Sequence, residues 1–177
     1  IAASVLLLAG GLSIYYFKER RTVLSAGAVE ISYILKDGTK AVPAPYPTLT
    51  YCGINSRVAD NNGKVYLESK HEVRNPFTIR DSSYIIHDIG TKLMVDEAMD
   101  RTTVYVAQGS VYFASNSSVE RGLVLKKGTK AVLLKYSSRP KLAKLMFPNS
   151  IAWATLQFHF DNTPLSDVLT DLCRIRI

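Results

Sequence analysis

Side chains suited to chemistry are sparse in this chain. The three histidines, His71, His87 and His159, stand far apart, and none has a second histidine or a cysteine at metal-ligand spacing. They read as surface or strand histidines. His87 and Asp88 adjoin and suggest an acid–base pair, but neighbours on a strand point to opposite faces. Cys52 and Cys173 are too few for a disulfide framework, and neither belongs to a CxxC or Cys/His cluster. They read as small hydrophobes, and their pairing stays open because sequence does not set their separation. No GxSxG elbow, HExxH helix or phosphate-cradling P-loop occurs. The residues therefore imply no catalytic group, no metal and no cofactor. They point to a protein that binds rather than an enzyme. An enzyme would need a cleft with a polarised histidine or carboxylate pair, which no pattern here reveals.

Charge is the next candidate for chemistry. The net charge is +7, from 22 basic and 15 acidic residues. Arg121, Lys126, Lys127, Lys130, Lys135, Arg139, Lys141 and Lys144 follow one another with no acid between them. Two readings stay open: a patch facing anionic phospholipid, or a solvated face without a dedicated ligand. Nucleic acid is not expected as a partner. Asn116-Ser117-Ser118 matches a glycosylation acceptor and reads as a chance turn tripeptide.

The elements that would position these groups are mostly strands. Hydrophobic residues make up 47% and charged residues 21%, a normal globular mix that excludes disorder. From Val29 to about Leu145 turn signals are dense, among them Asp37-Gly38, Asn61-Asn62-Gly63, Asn75-Pro76, Gly90, Gly109 and Lys127-Gly128. Short β-branched and aromatic runs lie between them: 65–67, 77–79, 84–86, 92–95, 102–106, 110–114, 123–125 and 131–134. This spacing predicts an all-β sandwich, barrel or solenoid. Val104 and Val106 alternate with Thr103, Tyr105 and Ala107, so one face should be buried. TVYVAQGSVYFAS reads as two strands joined by a tight turn at Gln108-Gly109. Gly90 and Gly109 are expected at turn positions that side chains would strain.

The two ends differ from this texture. Ile1 to Phe17 carries no charge and, as a helix, would span roughly 25 Å, just short of a bilayer core. Tyr15, Tyr16 and Phe17 followed by Lys18, Arg20 and Arg21 look like an interfacial belt and its flank. A single-pass membrane helix is the expectation, with a signal peptide or a buried core helix as alternatives. The absence of a starting Met and the ending at Ile177 suggest a piece of a longer protein. Near the other end, Trp153, Leu156, Phe158 and Phe160 open a strand-like stretch. Asn162, Thr163 and Pro164 then signal a helix start, and Leu165, Val168, Leu169 and Leu172 form one apolar stripe. Ile175 and Ile177 read as the beginning of a second strand.

Trp153, Phe158, Phe160, Asp161, Asn162, Pro164, Leu165, Val168, Leu169 and Leu172 together resemble the C-terminal segment of FecR-family transmembrane signalling proteins. Leu35-Lys36-Asp37-Gly38-Thr39 is similar to that family's L-x-D-G-T phrase. Val65 to Glu68 with Pro76 to Ile79, Ile89-Gly90-Thr91-Lys92, and Leu125 to Gly128 resemble further phrases in the same order. The glycine that the family has soon after Leu67 is replaced by Ser69-Lys70-His71. The resemblance implies a mainly β fold in four parts. These are a transmembrane helix at 1–17, a linker at 18–28, a periplasmic β domain at 29–147 (β-solenoid or sandwich-like), and the start of a small α/β unit, strand-helix-strand, at 148–177. It implies single-pass placement in the inner membrane and regulation of an extracytoplasmic-function sigma factor as an anti-sigma factor. It also implies protein–protein contact with the signalling domain of an outer-membrane TonB-dependent transporter. The sigma factor would be held by a segment absent from this sequence. Phe158, Phe160, Asp161, Asn162, Thr163, Pro164 and Leu165 are the expected partner interface, although buried aromatics also anchor small α/β units without any partner. The alternative function is a membrane-tethered periplasmic scaffold or envelope-binding protein that controls no sigma factor.

Overall fold

The computed structural model describes residues 21–27, 31–46, 48–52, 57–143 and 149–173. The chain is mainly β, with two seven-stranded sheets facing each other. The first sheet contains, in spatial order, β1 (Arg21–Ser25), β4 (Thr48–Cys52), β5 (Val58–Asn62), β7 (Phe77–Arg80), β8 (Tyr84–Asp88), β11 (Ser110–Ser115) and β12 (Ser118–Lys126). The second contains β14 (Lys141–Ala143), β13 (Lys130–Leu134), β10 (Arg101–Gln108), β9 (Lys92–Glu97), β6 (Lys64–Glu68), β3 (Lys40–Pro43) and β2 (Tyr33–Ile34). Neighbours are antiparallel except β5 and β7, which run parallel with Val58 opposite Thr78.

Period-two alternation builds the core. In β10, Val104 and Val106 are fully buried while Thr103 and Tyr105 sit half-buried on the other face. Val65, Leu67, Phe77, Ile79, Ile86, Leu93, Val95, Phe113 and Leu125 close the space between the sheets. Tyr84 meets Phe113 edge-on at 6.2 Å, and Tyr51 stacks on Phe77 at 6.4 Å.

The eight runs read from sequence all fall on strands. Two strands do follow one another around Gly109, but β10 and β11 belong to different sheets, so that turn crosses between layers and closes no hairpin. Gly109 and Gly90 have φ of 83° and 136°. A Cβ on Gly109 would lie 2.7 Å from Thr91 Cγ2, and one on Gly90 would strike the His71 backbone. The Ile89-Gly90-Thr91 phrase is thus a close backbone crossing. Asp88 supports it from a fully buried position, accepting the Ser69 hydroxyl at 2.6 Å and the Gly90 amide at 2.8 Å. Ser69 itself accepts the Thr91 amide at 3.0 Å.

The Asp37-Gly38-Thr39 phrase has a comparable reason. Asp37 takes the amide and hydroxyl of Thr39 at 3.0 and 2.8 Å and pairs with the buried Arg57 guanidinium at 2.8 Å. Arg57 also donates to the carbonyls of Asn75 (2.7 Å) and Lys70 (2.8 Å) and lies over the Phe77 ring. One cation therefore ties the β2–β3 turn to the long β6–β7 connection.

Two expectations require correction. Among the described residues no helix is long and apolar enough to cross a membrane. The described helices, α1 (Ala152–Thr155) and α2 (Leu165–Cys173), have four and nine residues, against about 20 needed to span a bilayer. The fold with an N-terminal transmembrane helix, and the single-pass inner-membrane placement that followed from it, are therefore not supported. Ile1 to Phe17 themselves lie outside the described residues, and Arg21–Ser25, expected in the linker, pairs with β4 as an edge strand.

The strand-helix-strand unit is the second. Ile151 to Phe160 contains α1 and no strand. Trp153 is buried by a helical turn, and Leu156 ends that turn in the left-handed region at φ 54°. Among the described residues the alternating segment beyond it pairs with no strand, so alternation alone does not make it one. Its His159 amide is satisfied by the Asn149 side chain at 2.8 Å. The expected second strand, at Ile175 and Ile177, lies outside the described residues.

Candidate partner interface

The outer face of the second sheet receives the C-terminal segment. Val42, Tyr66 and Met94 lie side by side there through the register Val42↔Tyr66↔Met94. Trp153 covers them, and the four form a second, smaller apolar cluster, with Ala44, Tyr105, Ile151 and Ala154 around it. Lys64 stands 4.6 Å from the Trp153 ring centroid. Trp153 is therefore a plug that fixes the segment to the sandwich.

Beyond this plug the chain is outward. Phe158 and Phe160 stack on each other at 5.6 Å. Phe158 and Thr163 are half-buried, while Phe160, Asp161, Asn162, Pro164 and Leu165 are exposed. Asn162 adopts φ 48°, a left-handed conformation that asparagine tolerates. Pro164 opens α2, its carbonyl accepting the amides of Asp167 (3.0 Å) and Val168 (3.1 Å). Thr163 turns its hydroxyl to the Asp161 carbonyl instead of capping the helix.

No residue of α2 is buried. Its stripe leaves Leu165 72%, Leu169 53% and Leu172 44% exposed. The helix touches the rest of the chain through Asp171, which accepts the Asn149 side-chain amide at 2.8 Å. The expected interface residues are thus contiguous, and α2 extends them into a larger apolar surface.

The basic residues do not form one cluster. Lys126 and Lys127 are exposed at the β12–β13 connection, with half-buried Lys130 beside them. Exposed Lys135 lies past the other end of β13, about 15 Å along the strand. Lys141 lies opposite Val132 on β14, Arg139 is exposed just before it, and Lys144 lies outside the described residues. His87 and Asp88 point to opposite faces, as strand geometry requires: Asp88 is buried and His87 faces Thr78 Oγ at 3.2 Å.

A cleft of about 280 Å³ at one end of the sandwich holds groups that sequence reasoning missed. Asp81, Ser82, Glu97, Arg101 and Lys135 line it. Burial and the neighbouring Asp81 carboxyl push Glu97 up to about 7. The Tyr84 hydroxyl, 3.4 Å from Glu97, is raised well above its ordinary value by burial and by the Glu97 charge. Asp81 and Glu97 form a carboxyl pair on the wall of this cleft. No sequence signal marks it, because the two residues come from different sheets.

No family model matches the sequence. No curated protein sequence matches it either. The fold is similar to two crystal structures from Parabacteroides distasonis, each provisionally described as that of an anti-sigma factor. One, at 2.50 Å resolution, superposes with TM-score 0.67 and 19% identity over 88% of this chain and 74% of the other. The second, at 1.65 Å, gives TM-score 0.65 and 19% identity over 87% and 74%. The chain therefore has an anti-sigma-factor-like fold.

Proposed function

We propose that this chain is the signal-receiving part of an anti-sigma-factor regulator that works by protein–protein contact rather than catalysis. The observation that carries this reading is the exposed apolar face of α2, presented beside Phe158 to Leu165 and anchored to the sandwich by Trp153. An amphipathic helix with no covering partner among the described residues suits a helix-in-groove or helix-on-sheet contact. The fold shared with the Parabacteroides distasonis structures supports a sigma-factor regulatory role. The C-terminal phrase that resembles FecR-family proteins supports the finer reading. In it, the incoming partner is the signalling domain of a TonB-dependent transporter, and its state is relayed to a sigma factor. None of the described residues is assigned to the sigma factor itself.

The test leaves the apolar positions alone. Asp161→Ala with Asn162→Gly keeps the exposed turn and its backbone freedom. In cells carrying the full-length protein, a sigma-dependent reporter should lose its response to the transporter while thermal stability stays unchanged. A normal response from this variant would leave the segment a structural role only.

A further inference from the structure

Five chain connections meet at the end of the sandwich opposite the cleft. They are β2–β3 (Leu35 to Thr39), β6–β7 (Ser69 to Pro76), β8–β9 (Ile89 to Thr91), β10–β11 (Gly109) and β12–β13 (Lys127 to Thr129). Short contacts stitch them into one surface. The Gly128 amide bonds the Val106 carbonyl at 2.7 Å. Gly109 packs against Thr91, and Gly90 against His71. The Glu72 amide bonds the Ile89 carbonyl and the Ser69 amide the Thr91 carbonyl, each at 2.9 Å. Arg57 joins Asp37 to the Lys70 carbonyl, and the Lys70 ammonium lies against Gly38.

This surface is basic. Lys36, Lys70, Arg74, Lys126 and Lys127 are exposed on it, with half-buried Lys130 at its rim. Among the described residues none of these forms a salt bridge. The acids of the same end are already engaged. Arg57 holds Asp37 and Lys92 holds Glu68, each at 2.8 Å, and Asp88 is buried on Ser69 and Gly90. Glu72 alone of the described acids there is exposed. The cleft end is mixed in sign: Asp100 faces Arg101 at 3.4 Å, and Asp81, Glu97 and Lys135 line the cleft. Charge is thus polarised along the strands.

Two apolar side chains stand among these cations. Val73 is 65% and Ile89 39% exposed, and the Glu72–Ile89 hydrogen bond brings their two connections together. A soluble polyanion has no use for such a tip. A lipid interface takes an apolar tip and surrounds it with phosphates.

We infer that this end docks peripherally on an anionic phospholipid surface. The lysine and arginine heads meet headgroup phosphates, while Val73 and Ile89 enter the headgroup layer. The contact needs no membrane-crossing helix and does not rest on the α2 face or its protein partner. It is electrostatic in the main, so it weakens as the Debye length shrinks to about 3 Å in 1 M salt.

NMR of the intact chain with nanodiscs carrying spin-labelled headgroups reads which end meets the lipid. On discs containing phosphatidylglycerol, the amides of Val73, Gly90 and Lys127 should relax faster, while those of Met99 and Lys135 should not. On discs of phosphatidylcholine alone neither group should respond. Lys70→Ser with Lys127→Ser should lower the enhancement at Val73 by at least roughly tenfold, since each surface charge is worth about 1 kcal/mol. Lys135→Ser, at the cleft end, should leave it unchanged. These residues are exposed, so the variants should fold as wild type does. No enhancement on anionic discs, equal enhancement on neutral ones, or enhancement undiminished in the double variant would overturn the inference. Polyphosphate at equal phosphate concentration should leave the enhancement in place. Its loss there would assign the basic end to soluble polyanions and equally overturn the lipid reading.

Discussion

Replacing Arg57 by Met tests whether one buried cation organises the Asp37-Gly38-Thr39 turn. Arg57 is 7% exposed, and its guanidinium meets the Asp37 carboxylate, two backbone carbonyls and the Phe77 face. Met preserves most of the stem's volume but removes every donor. It leaves the Asp37 charge without its counter-ion and two carbonyls without partners. Breaking a buried pair from one side costs about 3–5 kcal/mol. Asp37 keeps its two bonds from Thr39, which places the expected loss near 3 kcal/mol. For a domain of this size that is a fall in Tm of about 6–12 °C. Urea denaturation of Arg57→Met, Asp37→Asn and the double variant completes the assay. Asp37→Asn removes the orphaned charge, so the double variant should lose less than the sum of the singles by about 1–2 kcal/mol. Burial alone would raise Asp37, but the Thr39 hydrogen bonds and the Arg57 charge outweigh it and hold it below its ordinary 3.8. Its contribution is thus present above about 4 and is lost only as pH falls further, the opposite sign to Glu97. Additive losses within about 0.5 kcal/mol, or an Arg57→Met protein as stable as wild type, would refute this account of the turn.

Further outcomes follow from other contacts. Gly90→Ala should destabilise by about 2–3 kcal/mol, because positive φ is compounded by collision with the His71 backbone. Gly128→Ala, at φ 77° with open space around it, should cost only about 1 kcal/mol in the same denaturant titration. Trp153→Ala should free the C-terminal segment without unfolding the sandwich. The buried Trp153 indole N–H has no acceptor among the described residues, so packing and Lys64 supply the attachment. Limited proteolysis should then cut between residues 149 and 173 at least tenfold faster, with the main melting transition moved by less than about 3 °C.

The strands of the sandwich were legible where alternation and turn chemistry coincide, as at Val104 to Val106 and around Gly90 and Gly109. The short edge strands β2 and β14 were not, because two or three residues carry no period. Nor was β1, whose Arg21 and Thr22 read as a polar flank until β4 is seen to pair with them. The sheet to which each strand belongs was also hidden: the turn at Gly109 looks the same whether it closes a hairpin or crosses between layers. At the C-terminal end, Trp153, Phe158 and Phe160 share a strand-like period, yet burial of one indole against Val42, Tyr66 and Met94 outweighs that preference. The helix start at Pro164 and the apolar stripe were readable because both signals are local. The Arg57 knot and the Asp81–Glu97 pair were invisible, since their members are 20 and 16 residues apart and meet only through the topology.

The central claim is that α2 offers its apolar face to a protein partner while Trp153 holds it on the sandwich. Isothermal titration of the intact chain with the purified signalling domain of the proposed transporter partner tests this most directly. Leu165 and Leu169 are exposed, so Leu165→Asp with Leu169→Asp should leave the melting transition within about 2 °C of wild type. The account predicts measurable binding by the wild type and at least a hundredfold loss in the double variant. Undiminished affinity in a double variant that melts like wild type would contradict it.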